Sequence, residues 1–261
     1  MKQVFKKIIE FILKWLAKIY IFRANPYVII IAGTTGRHWI KETVKNALEE
    51  KSFSARANKK NFNAEIGLPL SILGLPSGEG RFLNWLDILW QGLKLITNRQ
   101  LPITDYLVLE MSVDKPDNMD YLLSIVKPNA TIITTITMIY AENFENLDEI
   151  AEEYEKLIKK LSFGGIAILN FDDERVKNLK NYFDGRVLTY GFSDGADFQA
   201  INVKKAMDGQ NFILKSLTDS EVSQIEIKRF GNHHIYAALV KEIIKRNFKM
   251  SSSDFFSKML K

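Results

Sequence analysis

Residues 27–36 read YVIIIAGTTG, an unbroken apolar run from Tyr27 to Ala32 followed by a glycine turn. A continuous run rich in β-branched residues is typical of a strand buried on both faces of a parallel sheet. Helical spacing of apolar residues follows as far as Glu50. The segment is therefore predicted to form a strand, a glycine turn and a helix, an arrangement in which backbone N–H groups bind phosphate.

The same alternation of strands and helices continues along the chain and predicts an α/β fold with a mainly parallel sheet flanked by helices. Further strands are expected at Tyr106–Glu110, Thr131–Thr135, Ile166–Asn170 and Val187–Tyr190, and helices at Met119–Val126, Leu147–Leu161 and Asp173–Phe183. After Gly195 three short strands without intervening helices predict a small antiparallel annex, and a helix is expected at Asn232–Arg246. These patterns divide the chain into a helix at 1–25, a domain at 26–246 and a short tail at 247–261.

Composition excludes some kinds of chemistry. The chain has 261 residues, 46% of them apolar, and no cysteine, which excludes disulfides, thiolate zinc sites and a cysteine nucleophile. Its 36 basic and 31 acidic residues give a formal net charge of +5. Because this excess is modest, we expect no nucleic-acid partner. The absence of cysteine is compatible with any compartment, and a cytoplasmic setting is the default expectation.

The amino-terminal segment, residues 4–22, is apolar but carries several lysines. Those charges exclude a membrane span, which needs about 20 mostly apolar residues. The apolar positions instead follow the spacing of an amphipathic helix: Phe5, Ile8, Ile9, Ile12, Trp15, Leu16 and Ile19. Such a helix either docks on the domain or lies in the interface of an anionic membrane, peripheral on its inner face. A second amphipathic helix, expected at 78–97, leaves a similar choice between core packing and a contact with a membrane or a partner.

Several short motifs recur in an order that identifies a family. They are the glycine loop with Ala32, Asn61-Phe-Asn-Ala-Glu-Ile-Gly-Leu-Pro69, Val108-Leu-Glu110, Val126-Lys-Pro-Asn129, Ile168-Leu-Asn-Phe-Asp-Asp173 and Gly231-Asn-His-His234. The combination resembles the Mur ligases over roughly residues 27–245, most closely the type that adds D-alanyl-D-alanine to the UDP-muramoyl tripeptide. The resemblance implies the ATP-binding central domain of an enzyme that activates a carboxylate by phosphoryl transfer and then forms an amide.

The resemblance also implies a set of cofactor-binding residues for ATP and magnesium. The phosphate loop would comprise Gly33, Thr34, Thr35, Gly36, Arg37 and His38, and Glu110 would hold magnesium. The adenine and ribose would lie near Asn170, Asp172 and Asp173, and His233 is the retained histidine of a further cofactor-binding motif. Arg37 takes the place of the family lysine, and His38 that of the hydroxyl that binds magnesium. Tyr140 and Tyr154 match the second-metal histidine and the carbamylated lysine. No catalytic residue is assigned.

These substitutions leave three hypotheses. The first is a degenerate Mur-ligase homologue that keeps the fold and some nucleotide affinity and acts by binding an active Mur ligase, an envelope-assembly protein or the membrane. The second is an ATP-dependent amide-forming ligase whose missing domains come from another chain. The third is a membrane-bound scaffold in which nucleotide plays no part.

Overall fold

One nine-stranded sheet with helices on both faces forms the body of the protein. The structure, a computed structural model, describes residues 2–58, 65–78, 82–102, 104–138 and 143–248. The helices are α1 (Lys2–Ala24), α2 (Arg37–Glu49), α3 (Gly67–Leu73), α4 (Phe82–Thr97), α5 (Asn118–Leu123), α6 (Leu147–Lys159), α7 (Glu174–Asn178) and α8 (Asn232–Asn247). The strands are β1 (Tyr27–Ala32), β2 (Ala55–Ala57), β3 (Tyr106–Glu110), β4 (Ala130–Ile133), β5 (Ile166–Asn170), β6 (Arg186–Gly191), β7 (Phe198–Ala206), β8 (Gly209–Ser216) and β9 (Val222–Ile227).

The sheet order is β2-β3-β1-β4-β5-β6-β7-β8-β9, and every pairing from β2 to β7 is parallel. β1 lies between β3 and β4, where Ile29 pairs with Val108 on one side and Ala130 on the other. All six residues of β1 are buried. The predicted α/β fold is confirmed, and the carboxyl ends of the parallel strands meet at one edge, where ligands bind in sheets of this kind.

The predicted annex is also confirmed as antiparallel, and the structure shows that it continues the main sheet. β7 pairs with β6 in parallel only at Tyr190–Phe198 and Gly191–Gln199, and then pairs with β8 in the antiparallel sense. β8 and β9 are antiparallel in turn.

The two faces of the sheet carry separate hydrophobic cores. On one face α1, α3, α4, α5 and α6 pack over the sheet, with Leu13, Ile72 and Leu157 among the fully buried residues. On the other face α2 and α8 pack together, burying Val44 and Leu239. This division places the start of α2 and the start of α8 on the same side of the sheet.

Two elements, α3 and β2, have no counterpart in the sequence-based prediction. All seven residues of α3 are buried, so its apolar and polar positions show no helical period. β2 has only three residues, too few for an alternating pattern to be recognised.

The helix α1 has a different arrangement from the single apolar face that the sequence predicts. Ile9, Leu13 and Leu16 are buried in the core, whereas Ile8 and Trp15 are about half exposed. The predicted stripe therefore consists of two faces. One face docks on the domain, which was the first of the two alternatives for this helix. The other face points outward.

We expect the inner face of α1 to contribute to stability as part of the core. Leu13→Ala should lower the free energy of unfolding by about 2–5 kcal/mol, because a fully buried leucine leaves a cavity when truncated. Ile8→Ala, on the outer face of the same helix, is the matched control and should change it by less than about 0.5 kcal/mol. Chemical denaturation measures both. Equal effects of the two substitutions would contradict the docked arrangement of α1.

Candidate functional site

A glycine loop joins β1 to α2 at the carboxyl edge of the sheet. Gly33 and Gly36 have φ values of 118° and 78°, a region that side chains with a Cβ rarely adopt. A Cβ on Gly33 would also lie 2.1 Å from the Thr134 hydroxyl oxygen. The loop conformation therefore requires glycine at position 33 for two independent reasons, and it directs the N-terminus of α2 toward the edge of the sheet.

Threonine hydroxyls connect this loop to the segment that follows β4. Thr34 Oγ1 lies 2.8 Å from Thr137 Oγ1 and donates to the Thr135 carbonyl at 3.0 Å. Thr35 Oγ1 lies 2.6 Å from Thr135 Oγ1. The two loops that follow neighbouring strands are thus held together at the edge where the phosphate loop was predicted.

A cavity of about 350 Å³ opens beside the loop, at the lower end of the size range of small-molecule sites. Its walls come from the glycine loop, α2, the ends of β4, β5 and β6, and the first turn of α8. The lining residues are Thr35, Gly36, Trp39, Ile40, Thr134, Thr135, Asn170, Tyr190, His233 and Tyr236. Apolar aromatic walls with a few hydroxyl, amide and imidazole groups suit a ligand with both a planar ring and polar substituents.

Hydrogen bonds fix the polar wall of the cavity. Tyr236 donates its hydroxyl to Asp172 Oδ2 at 2.9 Å, and Asn170 Oδ1 accepts from the Asp172 backbone N–H at 3.0 Å. Burial, and then the bond to Asp172, raise the pKa of Tyr236 well above its usual value, with a hydrogen bond from Asn170 acting in the opposite direction. The phenol is therefore neutral at physiological pH. Asp173 instead caps α7, accepting from the N–H groups of Arg175 and Val176.

An aromatic cluster forms the other wall. The Trp39 ring contacts His234 at a centroid distance of 4.6 Å and His233 at 5.8 Å, and the Arg229 guanidinium lies 4.9 Å from the Trp39 centroid. Partial burial lowers the pKa of His234, and the neighbouring His233 and Arg229 lower it further. Trp39 thus connects the first turn of α2 to the first turn of α8. His38 contacts Trp39 from outside the cavity.

The predicted metal ligand, Glu110, is paired with two cations. Arg37 Nε lies 3.1 Å from Glu110 Oε1, and Lys41 Nζ lies 3.5 Å from Oε2. Arg37 also donates to the Gly33 carbonyl, and Lys41 donates to the carbonyl of Asn58 at 2.9 Å. All three charged side chains are at least 93% buried. The Arg37 side chain therefore points into the protein at Glu110, instead of outward into the cavity.

This arrangement does not fit a magnesium ion at Glu110. Magnesium needs carboxylate oxygens that are free to coordinate it, and both oxygens of Glu110 face cations. Within the described parts of the chain, no three histidine or acidic side chains come together as a potential metal site. Tyr140 lies outside the described residues. Tyr154, on α6, is fully buried in the hydrophobic core and does not line the cavity.

Comparison with known proteins shows the family. A model of the Mur ligase middle domain matches residues 92–241, more than half of the chain. The chain belongs to the Mur ligase family. It is 23% identical over 244 residues to the UDP-N-acetylmuramoyl-tripeptide–D-alanyl-D-alanine ligase of Haemophilus influenzae, and 25% identical over 227 residues to that of Bacillus subtilis.

Solved Mur ligase structures share the fold. MurF from Acinetobacter baumannii superposes with a TM-score of 0.72 at 18% identity, covering 93% of this chain and 47% of the other. The MurF ligase of Thermotoga maritima in complex with ADP gives 0.72 at 21% identity, covering 92% and 49%. The alignments to the Haemophilus and Bacillus relatives cover 92% and 87% of this chain but 46% and 42% of theirs. The chain thus spans about half the length of the Mur ligases it matches.

The structure brings together only part of the predicted nucleotide site. Thr35, Gly36, Asn170 and His233 line the cavity, and Asp172 supports its wall through Tyr236. Gly33 and Thr34 shape the loop behind it, Arg37 turns to Glu110, and His38 lies outside.

The sequence-based prediction missed six residues of the cavity wall: Trp39, Ile40, Thr134, Thr135, Tyr190 and Tyr236. A usable signal existed for two of them. Trp39 stands three residues after Gly36, and Tyr236 three residues after His233, so each lies one helical turn from a predicted site residue.

We expect Glu110→Gln to lower the free energy of unfolding by about 3–5 kcal/mol, because it leaves the buried Arg37 and Lys41 without their counter-charge. Asp184→Asn, which removes one exposed carboxylate elsewhere, is the control and should cost less than about 0.5 kcal/mol. Urea denaturation followed by circular dichroism gives both values. If the two variants are equally stable, Glu110 is not the buried counter-ion described here.

Proposed function

We propose that this chain is the nucleotide-binding domain of an ATP-dependent ligase that forms amide bonds in cytoplasmic peptidoglycan-precursor synthesis. The observation that carries the proposal is the cavity at the carboxyl edge of the sheet, between the glycine loop, Trp39 and Tyr236. Its position beside a helix N-terminus suits a ligand with a ring at one end and phosphate at the other. The relatives named above are ligases, which favours the enzyme hypothesis over the degenerate homologue.

The phosphates would be held by the backbone at the start of α2. Its N-cap is Gly36, and its first turn, Arg37 to Ile40, contains no acidic side chain to compete with an anion. Because Arg37 is engaged by Glu110, the helix dipole and the loop N–H groups are the main attraction for phosphate. The ring would lie against Trp39, whose face offers stacking contact.

In this proposal the acyl substrate and the groups that activate it belong to other domains, in a longer polypeptide or in a partner chain. The chain spans about half the length of its curated relatives, and the charge-paired Glu110 leaves no carboxylate there for a metal-assisted step. The candidate partners are therefore an active Mur ligase or another protein of envelope assembly.

A second candidate function, nucleotide binding without ligation, is favoured by the same buried ion pairs. Because both oxygens of Glu110 are paired with buried cations, that carboxylate is not free to hold a metal at the reacting phosphate, so a nucleotide would bind there without being activated for transfer. This second candidate corresponds to the degenerate-homologue hypothesis, in which the domain binds nucleotide but does not catalyse ligation.

Nucleotide binding tests what both candidates share. We expect ADP to bind the chain, and Trp39→Ala to weaken binding at least about tenfold through the loss of ring contact, equivalent to about 1.4 kcal/mol. Trp90→Ala, which removes a tryptophan on the opposite face of the sheet, is the matched control and should leave affinity unchanged. Isothermal titration calorimetry measures all three proteins. Absence of ADP binding by the unaltered chain would contradict both candidates.

A measurement of ATP turnover distinguishes the ligase function from nucleotide binding without ligation. Phosphate release from ATP is measured with UDP-muramoyl tripeptide and D-alanyl-D-alanine, for the chain alone and for the chain joined to the flanking domains of the Bacillus subtilis relative. The ligase proposal predicts release by the joined protein and essentially none by the chain alone, since each missing electrostatic group costs about 100- to 1,000-fold in rate. If the joined protein binds ADP but does not turn over, the binding-only function replaces it.

A further inference from the structure

The helix α1 has a second apolar face that the domain does not cover. On its inner side Ile9, Leu13, Leu16, Ala17 and Tyr20 are buried. On its outer side six large apolar residues recur every three or four positions, with exposed fractions from 39% to 87%: Val4, Ile8, Phe11, Trp15, Ile19 and Phe22. Isolated exposed apolar residues are ordinary, but a continuous stripe along about five turns of helix marks an interaction surface.

The neighbouring helix α4 adds a second exposed stripe. Leu83, Leu86, Trp90 and Leu93 are spaced by three and four residues and are 42–75% exposed. The two helices pack closely, since a Cβ on Gly92 would lie 2.9 Å from Leu16 Cδ1. Arg23, near the end of α1, donates to the carbonyl of Ile96 near the end of α4, so the helices run in the same direction. We call the ten outer residues of α1 and α4 the apolar surface.

Positive charge is concentrated beside this surface. α1 contains six basic residues and one acidic residue, which equals the net charge of +5 of the whole chain, so the remaining residues are balanced. Lys7, Lys14 and Lys18 are spaced by seven and four residues and therefore lie in one row beside the outer stripe of α1, where Lys14 also donates to Ser124 Oγ at 2.6 Å. Lysine ammonium groups also lie over the two tryptophans of the apolar surface, Lys18 at 5.2 Å from Trp15 and Lys94 at 5.3 Å from Trp90.

We propose that the apolar surface docks in the plane of an anionic lipid membrane, with the lysine row at the phosphate head groups. Apolar side chains would enter the boundary between head groups and acyl chains, where tryptophan is favoured, and long lysine side chains would reach back to the phosphates. In the described part of the chain no helix is both long and apolar enough to span a bilayer, so we propose that α1 and α4 lie in the membrane plane. If a second copy of the chain covered this surface, the lysine rows of the two copies would repel each other. An anionic lipid surface would attract them, so the charge favours lipid as the partner.

This surface is separate from the nucleotide cavity. α1 and α4 belong to the core on one face of the sheet, whereas Trp39 and the first turn of α8 lie on the other face. Membrane binding and nucleotide binding can therefore be tested independently, and the failure of one leaves the other standing.

The test is sedimentation of the full chain with vesicles of phosphatidylcholine alone and of phosphatidylcholine with phosphatidylglycerol. We expect binding only to the anionic vesicles, with weaker binding as salt rises, because added ions screen the lysines. Phe11→Gln with Trp15→Gln should abolish binding. The matched control, Phe163→Gln with Met207→Gln, removes two exposed apolar residues that belong to neither α1 nor α4 and should retain binding.

Two triple variants, each with three lysines replaced by glutamine, test the role of the lysine row. Lys7→Gln, Lys14→Gln and Lys18→Gln together should weaken the partition coefficient at least about tenfold, whereas Lys204→Gln, Lys205→Gln and Lys228→Gln, with the same change in net charge, should have little effect. Circular dichroism confirms that each variant is folded. Equal binding by the two triple variants would overturn the proposal, as would unaltered binding by the Phe11 and Trp15 double variant.

Two further outcomes would also overturn it. One is the absence of binding to anionic vesicles. The other is self-association of the chain, seen by analytical ultracentrifugation and removed by the Phe11 and Trp15 double variant without any lipid binding, which would assign the surface to a second copy.

Discussion

The buried ion pairs of Glu110 with Arg37 and Lys41 hold together the elements at the carboxyl edge of the sheet. Arg37 and Lys41 come from the first two turns of α2, Glu110 ends β3, and Lys41 also binds the carbonyl of Asn58 after β2. A buried charge costs several kcal/mol unless it is paired, so these elements must be positioned together. One consequence reaches the candidate site. The Arg37 side chain, which the resemblance places at the position of the family lysine, points into the protein, so in the proposed function the backbone at the start of α2 binds the phosphates.

Much of the fold is predictable from the sequence because the buried strands are short, continuous apolar runs. β3 and β5 have the predicted bounds, and β1 follows directly from its six apolar residues. α3 and β2 were not predictable, one because it is buried on all sides and the other because it has three residues. The two-sided character of α1 was missed for a related reason, since apolar residues on both faces of one helix give a single broad pattern.

The candidate site was less predictable because sequence order shows which residues are near the loop but not where their side chains point. The resemblance assigns Arg37 to the phosphates and Glu110 to magnesium, whereas the structure pairs the two side chains with each other. Trp39 and Tyr236 come from helices on opposite sides of the cavity, and only the packing of α2 against α8 brings them to it. Motifs located the edge of the sheet correctly, whereas the chemistry of that edge depends on contacts between elements far apart in sequence.

We propose that this Mur ligase domain binds nucleotide next to a glutamate whose charge the protein itself neutralises. The most direct measurement is a crystal structure of the chain with a non-hydrolysable ATP analogue and manganese, whose anomalous scattering locates any metal. We expect the analogue to lie between the glycine loop and Trp39, with Arg37 and Lys41 still paired with Glu110 and no manganese on that carboxylate. A manganese ion coordinated by Glu110 with Arg37 displaced, or a cavity without nucleotide, would contradict it.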